Sequence, residues 1–219
     1  MPNTLLNEPF KSVIQDERVR AVIERLEAQR RGARAGSPND DGQSRDPCDY
    51  ADRGFSIRPD QGDLIYLLCR GMRATRVVEF ATSVGMSTLY FAAAMCDNGG
   101  GRVIGSEIVP AKIATATRNL SEAGLADYAE IREGDARQTL RDLGDSVDFA
   151  LIDGWPRDEQ LSLAREVIEI VAPQLRVGGY VMNDNAEPDF LEFIRDPDNG
   201  FISVTLPLKK GTELSVKVA

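Results

Sequence analysis

The sequence of 219 residues contains no histidine, which excludes mechanisms built on a histidine base, a histidine triad or a histidine metal ligand. Its three cysteines, Cys48, Cys69 and Cys96, show no C-x-x-C spacing, which indicates reduced thiols. No apolar run approaches the length of a membrane span, and Met1 to Phe10 lack the pattern of a signal peptide. We therefore expect a cytoplasmic protein with no membrane partner.

The chain also lacks an excess of basic residues. Its 26 Lys and Arg against 35 Asp and Glu give a net charge of −9. Nucleic-acid binders normally carry a basic patch, so we expect no DNA or RNA partner and favour a small-molecule substrate. The length suits one α/β domain with additional helices. We predict an N-terminal helical segment with a mobile loop, residues 1–54, followed by the main domain, residues 55–219.

The N-terminal segment contains one clear helical pattern, from Glu17 to Arg31. Its apolar residues Val19, Val22, Ile23 and Leu26 fall on one face. This stripe packs either on the chain's own sheet or on a second copy, and we expect a homodimer. Residues 32–49 are rich in Gly, Ser, Pro and Asp, which indicates a loop that serves as a lid or as an inert linker.

The rest of the chain is organised around residues 76–87, RVVEFATSVGMS. A short apolar run is followed by small residues, a glycine and an apolar helical pattern. A strand, a tight turn and a helix N-terminus in this order form the ligand-binding corner of an open α/β sheet. The spacing Glu79-x-Ala81-x-x-x-Gly85 differs from the G-x-G-x-x-G of dinucleotide sites, so an NAD-dependent enzyme is disfavoured.

Strand and helix patterns alternate five times along the chain. This rhythm predicts a parallel, doubly wound sheet. A long amphipathic helix is predicted over Glu159–Leu175, and two strand-like segments, 201–207 and 213–218, predict a C-terminal hairpin. The predicted fold is therefore α/β: a Rossmann-like, doubly wound, seven-stranded sheet with five parallel strands, a C-terminal antiparallel hairpin and extra N-terminal helices. The predicted parallel strands are Arg76–Phe80, Arg102–Ser106, Ala129–Arg132, Val147–Ile152 and Gly179–Met182.

Each of the predicted parallel strands has an acidic residue at its carboxyl end: Glu79 lies within the first strand, and the others follow theirs. Any one of them could simply cap a helix or turn, but in such a sheet the ligand lies at these strand ends. Glu107, at the tip of the second strand, is placed where an acid holds a nucleoside ribose. Asp153, Asp184 and Asn185 follow strands four and five and offer hard oxygen donors, which suit Mg²⁺. The full set is Glu79, Glu107, Asp135, Asp153 and Asp184 with Asn185.

The segments IRPDQGDLI, VVEFATSVGMSTLYFAAAM, VIGSEI, EGDA, ALIDGW and VMNDNA resemble, in this order, the metal-dependent O-methyltransferases. These are class I S-adenosylmethionine (SAM) methyltransferases that include catechol and caffeoyl-CoA O-methyltransferases. The resemblance covers residues 55–219. It implies contacts of SAM with Ile57, Glu79, Ala81, Ser87, Glu107, Asp135, Ala136, Asp153 and Trp155. It also implies metal ligation by Asp153, Asp184 and Asn185, with Asp153 and Asp184 as the catalytic pair.

Two departures from the family pattern stand out. Ala81 replaces the usual first glycine of the motif, and Pro156 followed by Arg157 replaces the lysine that acts as general base in catechol-type members. Arginine stays protonated, so the base would be a carboxylate, water or metal-assisted ionisation alone. We expect a Mg²⁺-assisted, SAM-dependent O-methyltransferase acting on a small catechol-like or phenol-like molecule. The alternatives are a metal-independent O- or N-methyltransferase and a SAM-binding protein without turnover.

Overall fold

The computed structural model describes residues 12–36, 46–154, 161–209 and 211–219. Its centre is one seven-stranded sheet with the strand order β3-β2-β1-β4-β5-β7-β6. The strands are β1 Arg76–Phe80, β2 Arg102–Glu107, β3 Ala129–Glu133, β4 Val147–Ile152, β5 Leu175–Asn183, β6 Phe201–Leu206 and β7 Thr212–Lys217.

The pairing of these strands confirms the predicted sheet. β1 pairs in parallel with β2 and β4, β2 with β3, and β4 with β5. β7 is antiparallel to both β5 and β6, so six strands run in one direction and β7 in the other. The chain order reverses beside β1, and a crevice at such a reversal is the usual ligand site of open α/β sheets.

Seven α-helices surround the sheet in the described part of the chain. Two of them lie outside the helices predicted from the sequence: α5 is a single turn after β3, and α7 follows the tip of β5. The helices are α1 Glu17–Gly36, α2 Pro59–Gly71, α3 Met86–Asp97, α4 Pro110–Ala123, α5 Ala136–Thr139, α6 Leu163–Val171 and α7 Pro188–Arg195.

Within the described residues, the helix predicted over Glu159–Leu175 is shorter than expected; Glu159 and Gln160 lie outside them. α6 begins only at Leu163, where the side chain of Ser162 caps it by accepting a hydrogen bond from the backbone N–H of Arg165. At its other end, Pro173 lies in a 3-10 turn, and Leu175 already belongs to β5. A proline cannot extend the α-helical hydrogen-bond pattern, which explains the early stop.

Both faces of the sheet are covered. Side chains of β4 alternate between two apolar clusters: Phe149 and Leu151 pack with α1–α4, while Ala150 and Ile152 pack with α5–α7. The central strands therefore expose only their ends, which leaves their carboxyl edge as the place for a site. Among the described residues, no helix is both long and apolar enough to span a membrane.

The apolar stripe of α1 is covered by the chain itself. Val19, Val22, Ile23 and Leu26 are all buried in the cluster that includes residues of α3 and α4. On the rim of this contact, Arg25 donates to Asn119 and Glu122 of α4 at 3.0 and 2.7 Å. The stripe was the reason to expect a homodimer, and it does not provide an exposed surface for one.

Candidate functional site

The loop after β1 has an unusual backbone. Ala81 and Ser83 adopt positive φ angles of 68° and 51°, and Gly85 follows with 86°. The N–H groups of Ala81 and Thr82 both donate to the carbonyl of Ser106 at the end of β2. Non-glycine residues in this region cost free energy and are found mainly at functional sites. The loop is therefore held in a strained shape across the tips of β1 and β2.

Two features of this loop offer unused donors. Helix α3 begins at Met86, and no side chain caps its N-terminus. The hydroxyl group of Ser83 is buried and has no hydrogen-bond partner among the described residues. An uncapped helix N-terminus attracts carboxylates, and a buried hydroxyl without a partner is costly unless a ligand satisfies it. The amino-acid end of a ligand such as SAM fits these donors. The sequence reasoning did not single out Ser83.

Glu79 lies beneath the loop and is fully buried. Its carboxylate accepts hydrogen bonds from the hydroxyls of Thr82, Ser87 and Thr88 at 2.9, 2.7 and 2.5 Å. Burial raises the pKa of Glu79 above its usual value of 4.5, and these hydroxyls oppose the shift. Gly105 on β2 makes room for this network, because a Cβ there would collide with the Thr82 hydroxyl. Glu79 thus organises the loop and joins it to Ser87 on α3.

Glu107 links the tips of β1 and β2. Its carboxylate accepts from the backbone N–H of Ser83 at 2.7 Å and from those of Ile108 and Val109 at 2.9 Å. Nearby, burial lowers the pKa of Lys112, whose ammonium lies 4.9 Å from the ring centroid of Phe55. Glu107 is therefore fixed by backbone donors at the position predicted for a ribose-binding acid.

The tip of β3 is built differently. Asp135 caps α5 and forms a close ion pair with Arg137, whose Nη2 lies 2.7 Å from Oδ2. This bond lowers the pKa of Asp135. Ala136, the next residue, is buried, and so is Ile57, which precedes α2. Trp155, Pro156 and Arg157 lie outside the described residues.

The remaining predicted residues come together at the tips of β4 and β5. Ile152 and Asn183 are paired across these parallel strands, which brings Asp153 next to Asp184. The side-chain amide of Asn185 donates to Asp153 at 3.1 Å. Burial, followed by the repulsion from Asp184, raises the pKa of Asp153 well above its usual range. The structure thus assembles Asp153, Asp184 and Asn185 into one polar cluster.

Two further residues, which the sequence reasoning missed, complete this cluster. The side-chain amide of Gln61 donates to Asp184 and, at 2.8 Å, to the hydroxyl of Thr212. The ammonium of Lys209 forms an ion pair with the other oxygen of Asp184. Lys209 precedes β7, whose first residues pair antiparallel with the end of β5. The predicted hairpin contained Lys209, but it is the pairing of β7 with β5 that brings this residue to the site.

The donors suit a hard divalent ion, with one condition. Two carboxylates and an amide oxygen match the ligands that Mg²⁺ prefers. The described residues contain no group of three or more His, Cys, Asp and Glu side chains placed to hold a metal, so the third ligand would have to be Asn185. The oxygens of Asp184 already accept from Gln61 and Lys209. Lys209 therefore occupies the side of Asp184 that an ion would use.

The chain is similar to known methyltransferases. Residues 78–186 match the family model described as a methyltransferase domain. The chain is 33% identical over 142 residues to a catechol O-methyltransferase of Niastella koreensis, covering 60% of this chain and 63% of that protein. It is 30% identical over 142 residues to a catechol O-methyltransferase of Mycobacterium tuberculosis, covering 62% and 64%. The chain thus spans just under two thirds of the length of the curated relatives it matches.

Solved structures share the fold over most of their length. An O-methyltransferase from Bacillus cereus in complex with S-adenosylhomocysteine superposes with a TM-score of 0.68 at 20% identity, covering 98% of this chain and 94% of that chain. The O-methyltransferase TomG from Streptomyces achromogenes, involved in tomaymycin synthesis and solved with SAM, gives 0.63 at 22% identity, covering 94% and 100%. The chain therefore carries a methyltransferase domain over residues 78–186, is similar in sequence to catechol O-methyltransferases, and shares the fold of O-methyltransferases solved with SAM or S-adenosylhomocysteine.

Proposed function

We propose that this protein transfers the methyl group of SAM to a hydroxyl of a small molecule with two neighbouring oxygens, such as a catechol, and that a divalent ion assists the transfer. The observation that carries the proposal is the meeting of Asp153, Asp184 and Asn185 beside the strained loop after β1. The loop after β1 suits the cofactor. The cluster of Asp153, Asp184 and Asn185 suits a cation and an acceptor oxygen.

The cofactor half is supported by its donors and acids. The N-terminus of α3 and the hydroxyl of Ser83 would bind the carboxylate of SAM, and Glu107 would bind the ribose diol. For this, one or more of the backbone donors on Glu107 would share its carboxylate with the ribose. Asp135 and Ala136 would border the adenine. The fold neighbours solved with SAM or S-adenosylhomocysteine, named above, support this choice of cofactor.

The reaction half is supported by the charge at the tips of β4 and β5. Asp153, Asp184 and Asn185 would hold a Mg²⁺ ion and, through it, orient the acceptor. A bound Mg²⁺ would lower the pKa of an acceptor hydroxyl. The fixed strand tips would keep that hydroxyl close to the cofactor, and such positioning supplies a large share of the rate in transfer reactions. This role for the ion compensates for the lysine that Pro156 replaces.

One observation favours a second candidate function. The ammonium of Lys209 lies against Asp184, where it neutralises that carboxylate without a metal. A metal-independent O- or N-methyltransferase would use Lys209 as a permanent counter-ion. A SAM-binding protein without turnover would bind the cofactor and show no transfer.

The experiment that tests these proposals measures binding and turnover separately. Calorimetry with SAM and with NAD identifies the cofactor, and we expect binding of SAM alone. A panel of phenols and catechols is then assayed with Mg²⁺ and after EDTA treatment, and we expect transfer that Mg²⁺ restores. NAD binding without SAM binding would contradict the cofactor assignment. Full activity after EDTA treatment would favour the metal-independent candidate.

A homodimer remains part of the proposal, on a surface other than the α1 stripe. The edge strand β6 exposes Ile202 and Val204, at 61% and 54% of their surface. An edge strand with apolar side chains can pair with another copy. Light scattering at working concentration tests this, and a monomer would contradict it.

A further inference from the structure

The acidic cluster at β4 and β5 concentrates negative charge in a buried place. The side chain of Asp184 is inaccessible to solvent, and the carboxyl group of Asp153 lies within hydrogen-bonding reach of it. Two carboxylates this close repel each other unless a cation or a proton compensates them. Lys209 supplies that positive charge from the β6–β7 hairpin.

Only one oxygen of Asp184 is open to exchange. The amide nitrogen of Gln61 donates to Oδ1, and this orientation is fixed, because the amide oxygen of Gln61 accepts from the backbone N–H of Arg58 at 2.8 Å. The same nitrogen also donates to Thr212 in β7. Lys209 contacts Oδ2. A cation that uses Oδ2 of Asp184 must therefore take the place of Lys209, not of Gln61.

The side chain of Lys209 is freer to move than that of Gln61. Lys209 lies in the turn between β6 and β7, and its side chain is 25% exposed. Its φ angle is 52°, in the left-handed region that is uncommon for a residue with a side chain. Rotation of this long side chain into solvent would break the ion pair and expose Oδ2.

We propose that Lys209 is a tethered cation that competes with a divalent ion for Asp184, so that the ion binds only when Lys209 withdraws. Lys209 is in this sense a positioning residue that sets the affinity and selectivity of the site for cations. The inference rests on the proposed function, since it assigns Asp184 to a metal site.

The test compares metal binding by four proteins: wild type, Lys209→Met, Lys209→Gln and Lys209→Arg. Mn²⁺ and Mg²⁺ are titrated by calorimetry at one pH and ionic strength, without SAM or acceptor. We expect both neutral variants to bind the ions about tenfold more tightly or better, because they lack the competing charge. Lys209→Arg keeps the charge and should stay close to wild type. Lys209→Gln retains a hydrogen-bond donor for Asp184, which protects the test if Lys209→Met folds poorly.

A matched control removes the same charge at the end of β7, away from the turn that contains Lys209. Lys217 donates to the carbonyls of Ala172 and Leu175 at the far end of the strand. Lys217→Met should leave ion affinity near the wild-type value, which separates local competition from a general charge effect. As an independent readout, Mg²⁺ should raise the melting temperature of Lys209→Met more than that of wild type, since tighter binding stabilises the folded state more.

The outcomes separate this inference from the proposed function. Equal ion affinity in wild type and both neutral variants overturns the competition, while metal-dependent transfer by wild type would leave the proposed function standing. Loss of transfer in Lys209→Met with unchanged ion affinity also overturns it, because Lys209 would then act on the acceptor or cofactor. If no variant binds an ion, both the competition and the metal part of the proposed function fail, and SAM binding still tests the cofactor part.

Discussion

The two halves of the carboxyl edge of the sheet stabilise their acids in different ways. At β1, Glu79 takes its hydrogen bonds from neutral hydroxyls that lie 3, 8 and 9 residues along the chain. At β5, Asp184 depends on Lys209 and Gln61, which lie 25 and 123 residues away. The first half is a local, preorganised network, and the second is assembled from distant segments around a charge.

This difference suggests a division of labour. A network of neutral donors keeps its geometry when ions or protons change, which suits a site that must bind one cofactor in one pose. A buried charge pair responds strongly to the loss of one partner, which suits a site where a cation is exchanged. Changes at β4 and β5 should therefore affect transfer, and changes at β1 to β3 should affect cofactor binding.

Removal of Asp184 should have the largest effect on the reaction. In Asp184→Ala, we expect methyl transfer to fall by at least about 10²-fold, because an organising charge is lost from the reaction centre. SAM affinity should remain nearly unchanged, since Glu79, Ser83 and Glu107 are left in place. Steady-state rates and calorimetry with SAM check the two expectations on the same preparation.

The control for this variant is Asp145→Ala. Asp145 is an exposed acid just before β4, at the opposite end of that strand. Its loss changes the net charge equally and should leave both rate and SAM affinity near wild type. If Asp184→Ala still transfers methyl groups at the wild-type rate, the proposed division between a transfer site at β4 and β5 and a cofactor site at β1 to β3 is contradicted.

Substitution of Glu107 should show the reverse pattern. Glu107→Ala should weaken SAM binding by about 1.5–3 kcal/mol, the range for a hydrogen bond to a charged group. Glu107→Gln keeps the shape of the side chain but removes its charge. Comparison of the two variants therefore separates the loss of the charge from the loosening of the three backbone donors. Glu133→Ala, an exposed acid at the end of β3, serves as control. Calorimetry measures the affinities, and unchanged binding in both Glu107 variants would exclude this residue from the cofactor site.

Glu79 should make the local network sensitive to pH in one direction. Its folded-state pKa is raised by burial above the usual 4.5, so the folded protein binds the proton more tightly than the unfolded chain. Stability from this group is therefore present at low pH and is lost as pH rises from about 4.5 through the raised pKa. Glu79→Gln lacks this loss, while the similar contribution of Asp153 remains in both proteins.

Urea midpoints measured from pH 4.5 to 8 without cofactor test this expectation. The wild type should lose stability relative to Glu79→Gln as pH rises. Parallel curves for the two proteins would show that the three hydroxyls cancel the effect of burial.

Features that depend on local sequence patterns were predicted better than contacts between distant segments of the chain. β4 has the predicted bounds, because it is a continuous buried run. The helix α7 was missed although Phe190 and Ile194 have helical spacing, since the preceding Asn-Ala-Glu-Pro indicates a turn. Lys209 was missed because its role depends on the register between β5 and β7, which local patterns do not determine.

The smallest effect is expected from Ala81→Gly, at the position where the family motif usually has glycine. The positive φ of Ala81 costs about 1–2 kcal/mol of folding free energy, and a glycine would remove this cost. Glycine also gives the unfolded chain more conformational freedom, which lowers stability by about 0.5–1 kcal/mol. We expect a net stabilisation between about 0 and 1.5 kcal/mol in thermal or urea unfolding. SAM affinity should be equal or slightly higher, because a methyl group is removed where the loop passes the cofactor.

The matched control is Ala114→Gly, an exposed residue within α4, where glycine should cost about 1 kcal/mol. The two variants make the same chemical change and should shift stability in opposite directions. Ala81 is also partly buried against the cluster beneath α5–α7, so its methyl group contributes some packing. If Ala81→Gly destabilises the protein as much as Ala114→Gly does, this packing outweighs the backbone strain. The loop after β1 would then owe its shape to the core beneath it and not to the local network of Glu79.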